Sequence, residues 1–79
     1  MVKVGDPVRF VDSKGVEFDA LVQHVWTETC INLVFVSGDE NRKDNYGRQV
    51  EHVTSLQSRE VMKGVPGFYW YVPEAAPKA

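Results

Sequence analysis

The sequence predicts an all-β fold, a small five-stranded antiparallel barrel with a short helical turn possible before the last strand. Five short segments are rich in β-branched and aromatic residues, turn residues separate them, and apolar residues alternate along the second segment. A chain of 79 residues has room for one domain, which we place at positions 1–72. The remaining positions, 73–79, are expected to form a C-terminal tail.

The first hairpin is the element around which the other strands are expected to arrange. Its strands are predicted at Pro7–Val11 and Val16–Trp26. The turn Asp12-Ser13-Lys14-Gly15 supplies a side-chain acceptor at its start and a glycine that takes a positive φ at its end. From Ala20 onward both faces of the second strand become partly apolar, which predicts a bent strand shared by two packed sheets.

The third and fourth strands are predicted at Cys30–Val36 and Gln49–Thr54. The third is the most apolar segment of the chain and is expected to be central in the sheet. In the fourth, Val50 and Val53 are expected to be buried, and their spacing predicts either a bulge or an early strand end.

The segment after the fourth strand is ambiguous in type. Thr54 and Gln57 have the spacing of a helix capping box, which would start one or two helical turns that end at Gly64. The aromatic segment Phe68–Val72 is predicted to be the last strand.

The predicted core consists of apolar side chains that share the inward faces of these strands. They are Val8, Phe10, Phe18, Ala20, Val22, Leu33, Phe35 and Val50. Alternation divides the side chains of the last strand between two faces, with Phe68, Trp70 and Val72 toward the core and Tyr69 and Tyr71 away from it.

Charge and composition narrow the classes of partner. The formal charge is −2, from nine basic and eleven acidic residues, which gives no general attraction to nucleic acid or to an anionic membrane. No apolar run has membrane-spanning length, and the N-terminal segment lacks the apolar centre of a signal peptide. We therefore expect no membrane partner and no secretion by a signal peptide. The single cysteine, Cys30, suits a protein made in a reducing cytosol.

The opening segment resembles a known family of small barrels. The pattern V-G-D-x-V-R-F-V-D-x-x-G at Val4–Gly15 resembles the first strand and turn of SH3-like barrels, including KOW-type domains, and Ala20–Val22 is similar to their second strand. The resemblance covers roughly positions 4–54 and implies an SH3-like barrel, a fold shared by many functions. The whole chain also resembles small uncharacterised proteins encoded by tailed bacteriophages. That likeness implies a virion-associated role, as a capsid accessory or decoration protein, or another phage accessory role, in the host cytoplasm or the assembled virion.

Catalytic and metal motifs are absent from the sequence pattern. His24, His52 and Cys30 are the main candidates for metal ligands, and no pair of them has ligand spacing. A calcium loop within 39–45 is disfavoured because Arg42 and Lys43 would oppose a dication. We expect no enzyme activity, no catalytic residue, no cofactor and no metal.

Exposed aromatic and arginine residues are the types most favoured at protein interfaces, and they predict a non-enzymatic protein-binding or structural module. The predicted partner-binding residues are Trp26, Arg42, Tyr46, Arg48, Tyr69 and Tyr71. The partner is expected to be a second copy, in an oligomer, or a phage structural protein. The alternative is a KOW-like nucleic-acid-binding barrel, opposed by the net negative charge. It would use Arg9, Lys14, Arg42, Lys43 and Arg48, with Tyr46.

Overall fold

Five antiparallel strands form a curled sheet, a half-barrel, in the computed structural model, which describes residues 1–73. The strands are β1 (Pro7–Val11), β2 (Glu17–Val25), β3 (Cys30–Val36), β4 (Lys43–Asp44), β5 (Gly47–Arg48), β6 (Val50–Gln57) and β7 (Tyr69–Tyr71). The order in the sheet is β6-β3-β2-β1-β7, and β4 pairs with β5 in a separate hairpin. The all-β class is confirmed, although β2 rather than β3 is the middle strand. The predicted tail lies outside the described residues from position 74 onward.

The turn between β1 and β2 has the predicted chemistry. One carboxylate oxygen of Asp12 accepts hydrogen bonds from the backbone N–H groups of Lys14 at 2.8 Å and Val16 at 2.9 Å. Gly15 has a φ of +82°, which a residue with a Cβ rarely adopts. These local bonds fix the register of the hairpin, in which Phe10 lies opposite Phe18.

The predicted bend in β2 appears as a shift in register. The pairing of β2 with β3 is regular up to Val22 and shifts before His24. Up to Val22, every second side chain of β2 is buried or half-buried. After the register shift, the next half-buried side chain is Val25, three positions further on. A bulge inserts one residue, so the strand continues to face the same core after it bends.

A second bulge lies in β6, where the sequence allowed either a bulge or a strand end. The register shifts between Ile31 and Leu33 of β3, and Ser55 has a φ of +52°. The side-chain oxygen of Asn32 accepts a hydrogen bond from the backbone N–H of Ser55 at 2.8 Å and so holds the bulge. The strand continues to Gln57, so the capping-box prediction is wrong.

Turns replace the possible helical segment between β6 and β7. The backbone N–H groups of Val61 and Met62 both donate to the carbonyl of Ser58 at 3.1 Å. No helix forms within residues 1–73. Gly64, the predicted helix end, has a φ of +82° in this turn region.

The core lies inside the curl of the sheet. Its buried members form one cluster: Val8, Phe10, Ala20, Val22, Ile31, Leu33, Leu56 and Trp70. Phe18 and Phe35 are half-buried and pack against this cluster. The predicted burial of Val50 is wrong, because it lies opposite Val36, which is on the outward side of β3. Ile31 and Leu56, which the predicted core did not include, are buried instead.

The last strand is shorter than predicted, and only part of its alternation holds. Trp70 is buried, with Tyr69 and Tyr71 half-buried on either side of it. Phe68 and Val72 lie outside the strand and are about half exposed, so their predicted burial is wrong. Phe68 has a φ of +62°, which takes it out of the strand conformation.

Candidate protein-interaction surface

Apolar side chains cover part of the outer surface of the sheet. Pro7 lies opposite Leu21, Leu21 lies opposite Val34, and Val36 lies opposite Val50 on the same side. We call these five residues the outer apolar face. Leu21, Val36 and Val50 are 49%, 56% and 58% exposed, so the surface is open to contact along β2, β3 and β6.

A groove of about 440 Å³ runs over the outer apolar face, and Pro73 also lines it. Arg9 and Asp19 are the charged groups among its described lining residues, and they form an ion pair with each other. Pockets for small ligands of this size contain polar groups that orient the ligand. Because the charged groups of this groove are already paired, it is better suited to apolar side chains of a protein.

A polar network borders the outer apolar face on the side of β7. We call it the tyrosine–arginine cluster, and its members are Arg9, Glu17, Asp19, Arg59 and Tyr71. The Tyr71 hydroxyl donates a hydrogen bond to Oε1 of Glu17 at 2.6 Å, and Nε of Arg9 lies 3.4 Å from the same oxygen. The Arg59 guanidinium stands 4.0 Å from the centre of the Tyr71 ring, within the range of a cation–π contact.

Hydrogen bonds within the cluster shift the ionisation of its members. The hydrogen bond from Tyr71, assisted by Arg9, holds the pKa of Glu17 below its ordinary value of 4.5. The same bond to Glu17 raises the pKa of Tyr71 above 10.0, because the phenol keeps the proton that it donates. At neutral pH, Glu17 is therefore the acceptor and Tyr71 the donor of this hydrogen bond.

Three of the predicted partner-binding residues lie in or beside the β4–β5 hairpin. Tyr46 is 98% exposed at the tip of the hairpin, in a turn held by the hydrogen bond from its backbone N–H to Asp44. The guanidinium of Arg42 makes two hydrogen bonds to the carboxylate of Glu51. Arg48 is an exposed ion-pair partner, with Nη2 3.4 Å from Oε1 of Glu40.

Trp26 stands at the opposite end of β3. Its indole N–H donates to the side-chain oxygen of Asn32 at 2.8 Å, its ring meets that of His24 edge-on, and it is 58% exposed. A seven-residue strand separates this end from the β4–β5 hairpin by roughly 20 Å. Tyr69 and Tyr71 belong to β7, at the sheet edge opposite β6. The six predicted residues thus occupy three separate regions, and Tyr71 alone is part of the tyrosine–arginine cluster.

Sequence reasoning missed most of the outer apolar face. For Leu21 the sequence did contain a signal, because both faces of the second strand become partly apolar from Ala20 onward and Leu21 is on the face opposite Ala20. Val34 and Val36 belong to a continuous apolar run, in which periodicity gives no sign of which residues point outward. The register with β2 and β6 supplies that information.

Within residues 1–73, no three His, Cys, Asp or Glu side chains are grouped so that they could hold a metal ion. That part of the chain also contains no helix with the length and apolar character needed to cross a membrane. No protein-family model, curated protein or solved structure matches the chain.

Proposed function

We propose that this chain is a non-enzymatic protein-binding module that takes a protein partner on its outer apolar face. The observation that carries the proposal is the exposure of Leu21, Val36 and Val50 side by side on the outer surface of a sheet whose inner surface already holds the core. The outer apolar face, bordered by the tyrosine–arginine cluster, has the composition of an interface core with a polar rim.

The chemistry of the surface defines the partner. Apolar side chains of the partner would pack on Leu21 and Val34 in the groove. Arg59 has no ion pair within the described part of the chain and is stacked on Tyr71, so it is oriented to receive a carboxylate or a carbonyl oxygen. The partner is thus a protein segment with apolar side chains next to an acidic or carbonyl group.

The proposed setting is that of the tailed-bacteriophage proteins that the chain resembles. There the partner is a structural or accessory protein of the phage, and the module is a small SH3-like barrel that attaches to it. The five-stranded antiparallel sheet agrees with the all-β class of such a module.

The ion pairs between three arginines and acidic side chains favour a protein partner over nucleic acid. Arg9 is paired with Asp19, Arg42 with Glu51, and Arg48 with Glu40. Affinity for nucleic acid depends on cations that neutralise phosphates. Here an acidic side chain already neutralises each of these three arginines.

The test is capture by the tagged protein from lysate of its native host, followed by binding measurements with the purified captured protein. We expect the double variant Leu21→Ser with Val36→Ser to bind that protein at least about tenfold more weakly than the parent, a difference of about 1.4 kcal/mol. Lys63→Ser is the control, since Lys63 is an exposed residue that does not line the groove. Equal binding by the parent and the double variant would refute the proposal. Loss of the captured material on nuclease treatment would support the nucleic-acid alternative instead.

A further inference from the structure

We propose that the free edge of β6 pairs with the same edge of a second copy of this chain, so that two sheets join across a two-fold axis. The pairing uses backbone groups of β6. It therefore goes beyond the proposed function, which uses side chains of the outer apolar face, and does not depend on it.

The register of β3 with β6 shows which backbone groups are free. The N–H of Ser37 donates to the carbonyl of Gln49 at 2.9 Å, which identifies this facing pair as a hydrogen-bonded one. In an antiparallel ladder such pairs alternate with pairs whose backbone groups point outward. Phe35 with Glu51 is thus the next hydrogen-bonded pair, and Val50 belongs to a pair of the other type.

It follows that the backbone N–H and C=O groups of Val50, His52 and Thr54 point away from β3. Within residues 1–73, β6 has no second neighbour along this stretch in the sheet. Outside the ladder with β3, none of the three N–H groups donates to another backbone or side-chain group of residues 1–73. The edge therefore presents a short row of unpaired donors and acceptors.

This edge lacks the usual protection against pairing. No lysine or proline occurs in β6, and none of the three residues whose backbone faces outward is an aspartate, glutamate, lysine or arginine. The free stretch ends at the bulge, where Ser55 has a positive φ and the following carbonyl, that of Leu56, is bonded to Trp70. Val50 to Thr54 thus form a defined edge about 17 Å long.

A second copy is the occupant that fits this edge. An antiparallel edge is self-complementary across a two-fold axis, which gives an isologous interface. With His52 opposite its symmetry mate, Val50 lies opposite Thr54 of the second copy, and every outward N–H meets a carbonyl. These three residues include no carboxylate, lysine or arginine, so the edge does not require a partner of opposite charge. A two-fold axis perpendicular to the sheet also places both outer apolar faces on one side, with Val50 of each copy close to the junction.

The mass in solution tests the pairing. Sedimentation equilibrium of the full chain should give about 18 kDa, twice the 9.0 kDa of one chain. His52→Pro removes one outward N–H and places a ring at the edge, where proline is compatible with a strand, so it should reduce the mass to 9.0 kDa. His52→Thr keeps the N–H and should leave the mass at twice that of one chain.

Amide hydrogen exchange of the unaltered protein gives a second measurement, which decides the matter even if His52→Pro does not fold. The amides of Val50 and His52 should be protected at concentrations where the dimer forms, and their protection should fall on dilution. The mass of a single chain at concentrations up to about 1 mM, or rapid exchange of both amides at that concentration, would overturn the pairing.

The outer apolar face and the free edge of β6 can be tested separately. The double variant Leu21→Ser with Val36→Ser should lose the captured protein and keep the dimer mass, because it leaves the backbone of β6 intact. A folded His52→Pro variant should lose the dimer mass and still bind the captured protein through its outer apolar face. Retention of the dimer mass by folded His52→Pro would refute the edge pairing without affecting the proposed function.

Discussion

The indole N–H of Trp70 donates to two backbone carbonyls, that of Thr29 at 3.0 Å and that of Leu56 at 3.1 Å. A buried side chain of β7 is thereby bonded to the end of β6, the strand at the other edge of the sheet. Beside this contact, the backbone N–H of Arg59 donates to the carbonyl of Trp70 at 2.8 Å, and Ser58 forms a bridge with Trp70. These bonds bring the two edges of the half-barrel together at one end.

Trp70→Phe should destabilise the protein strongly. Phenylalanine keeps much of the apolar volume but removes both hydrogen bonds of the indole N–H, to the carbonyls of Leu56 and Thr29, a loss of roughly 1–3 kcal/mol. Trp26→Phe is the matched control, because Trp26 is 58% exposed and its hydrogen bond to Asn32 is at the surface. Thermal unfolding should show a shift of Tm for the Trp70 variant and little change, about 0.5 kcal/mol, for the control. Similar shifts in both would mean that the bond to Leu56 does not hold the edges together.

Leu33→Ala should test the corrected core. Leu33 is fully buried, so its truncation should cost roughly 2–5 kcal/mol, a large fraction of the stability of a domain of this size. Val36→Ala in the same strand should cost about 0.5 kcal/mol, because Val36 is exposed. Chemical denaturation measures both. A large loss from Val36→Ala would show that β3 faces the core with its other side.

Gly67→Ala should be destabilising for a steric reason. Gly67 is buried where the chain crosses the first turn, and a Cβ there would overlap the carbonyl oxygen of Asp12. The crossing is tight, because the next N–H, that of Phe68, donates to the carbonyl of Val11 at 2.7 Å. We expect a loss of about 1–3 kcal/mol, measured as a lower Tm.

Gly47→Ala is the comparison for that variant. Gly47 has a φ of +123° but open space around it, so the change causes only backbone strain in the exposed β4–β5 hairpin. The Gly67 variant should therefore have the lower Tm. The reverse order would mean that the crossing over Asp12 is not constrained.

Acid should weaken the tyrosine–arginine cluster. The folded-state pKa of Glu17 is below its ordinary value of 4.5, so its stabilising effect is present above about pH 4.5 and is lost as the pH falls through the folded pKa. Glu51, whose pKa is lowered mainly by its hydrogen bond from Arg42, contributes in the same direction. Glu17→Gln should lower Tm at pH 7 and converge with the parent near pH 2, since both then lack the carboxylate charge. A constant difference in Tm between pH 7 and pH 2 would exclude this role of Glu17.

Local chemistry in the sequence determined a substantial part of this fold. The bounds of β1 and β3 agree with the prediction, because each is a short run of β-branched and aromatic residues between turn signals. The turn at Asp12 was predictable because its hydrogen bonds join residues close in sequence. The outward direction of Tyr71 next to buried Trp70 follows from simple alternation.

Tertiary structure alone decided the candidate surface. The direction of Val50 depends on its register with Val36, and a bulge at Ser55 lies between Val50 and the buried Leu56. Arg42 and Glu51 are nine positions apart and meet only because the β4–β5 hairpin lies between them. A shift of one residue in strand pairing exchanges the two faces of a strand, and periodicity within an apolar strand carries no information on that register. The sequence therefore determined which segments are strands, whereas the pairing of those strands determined which apolar residues form the core and which form the surface.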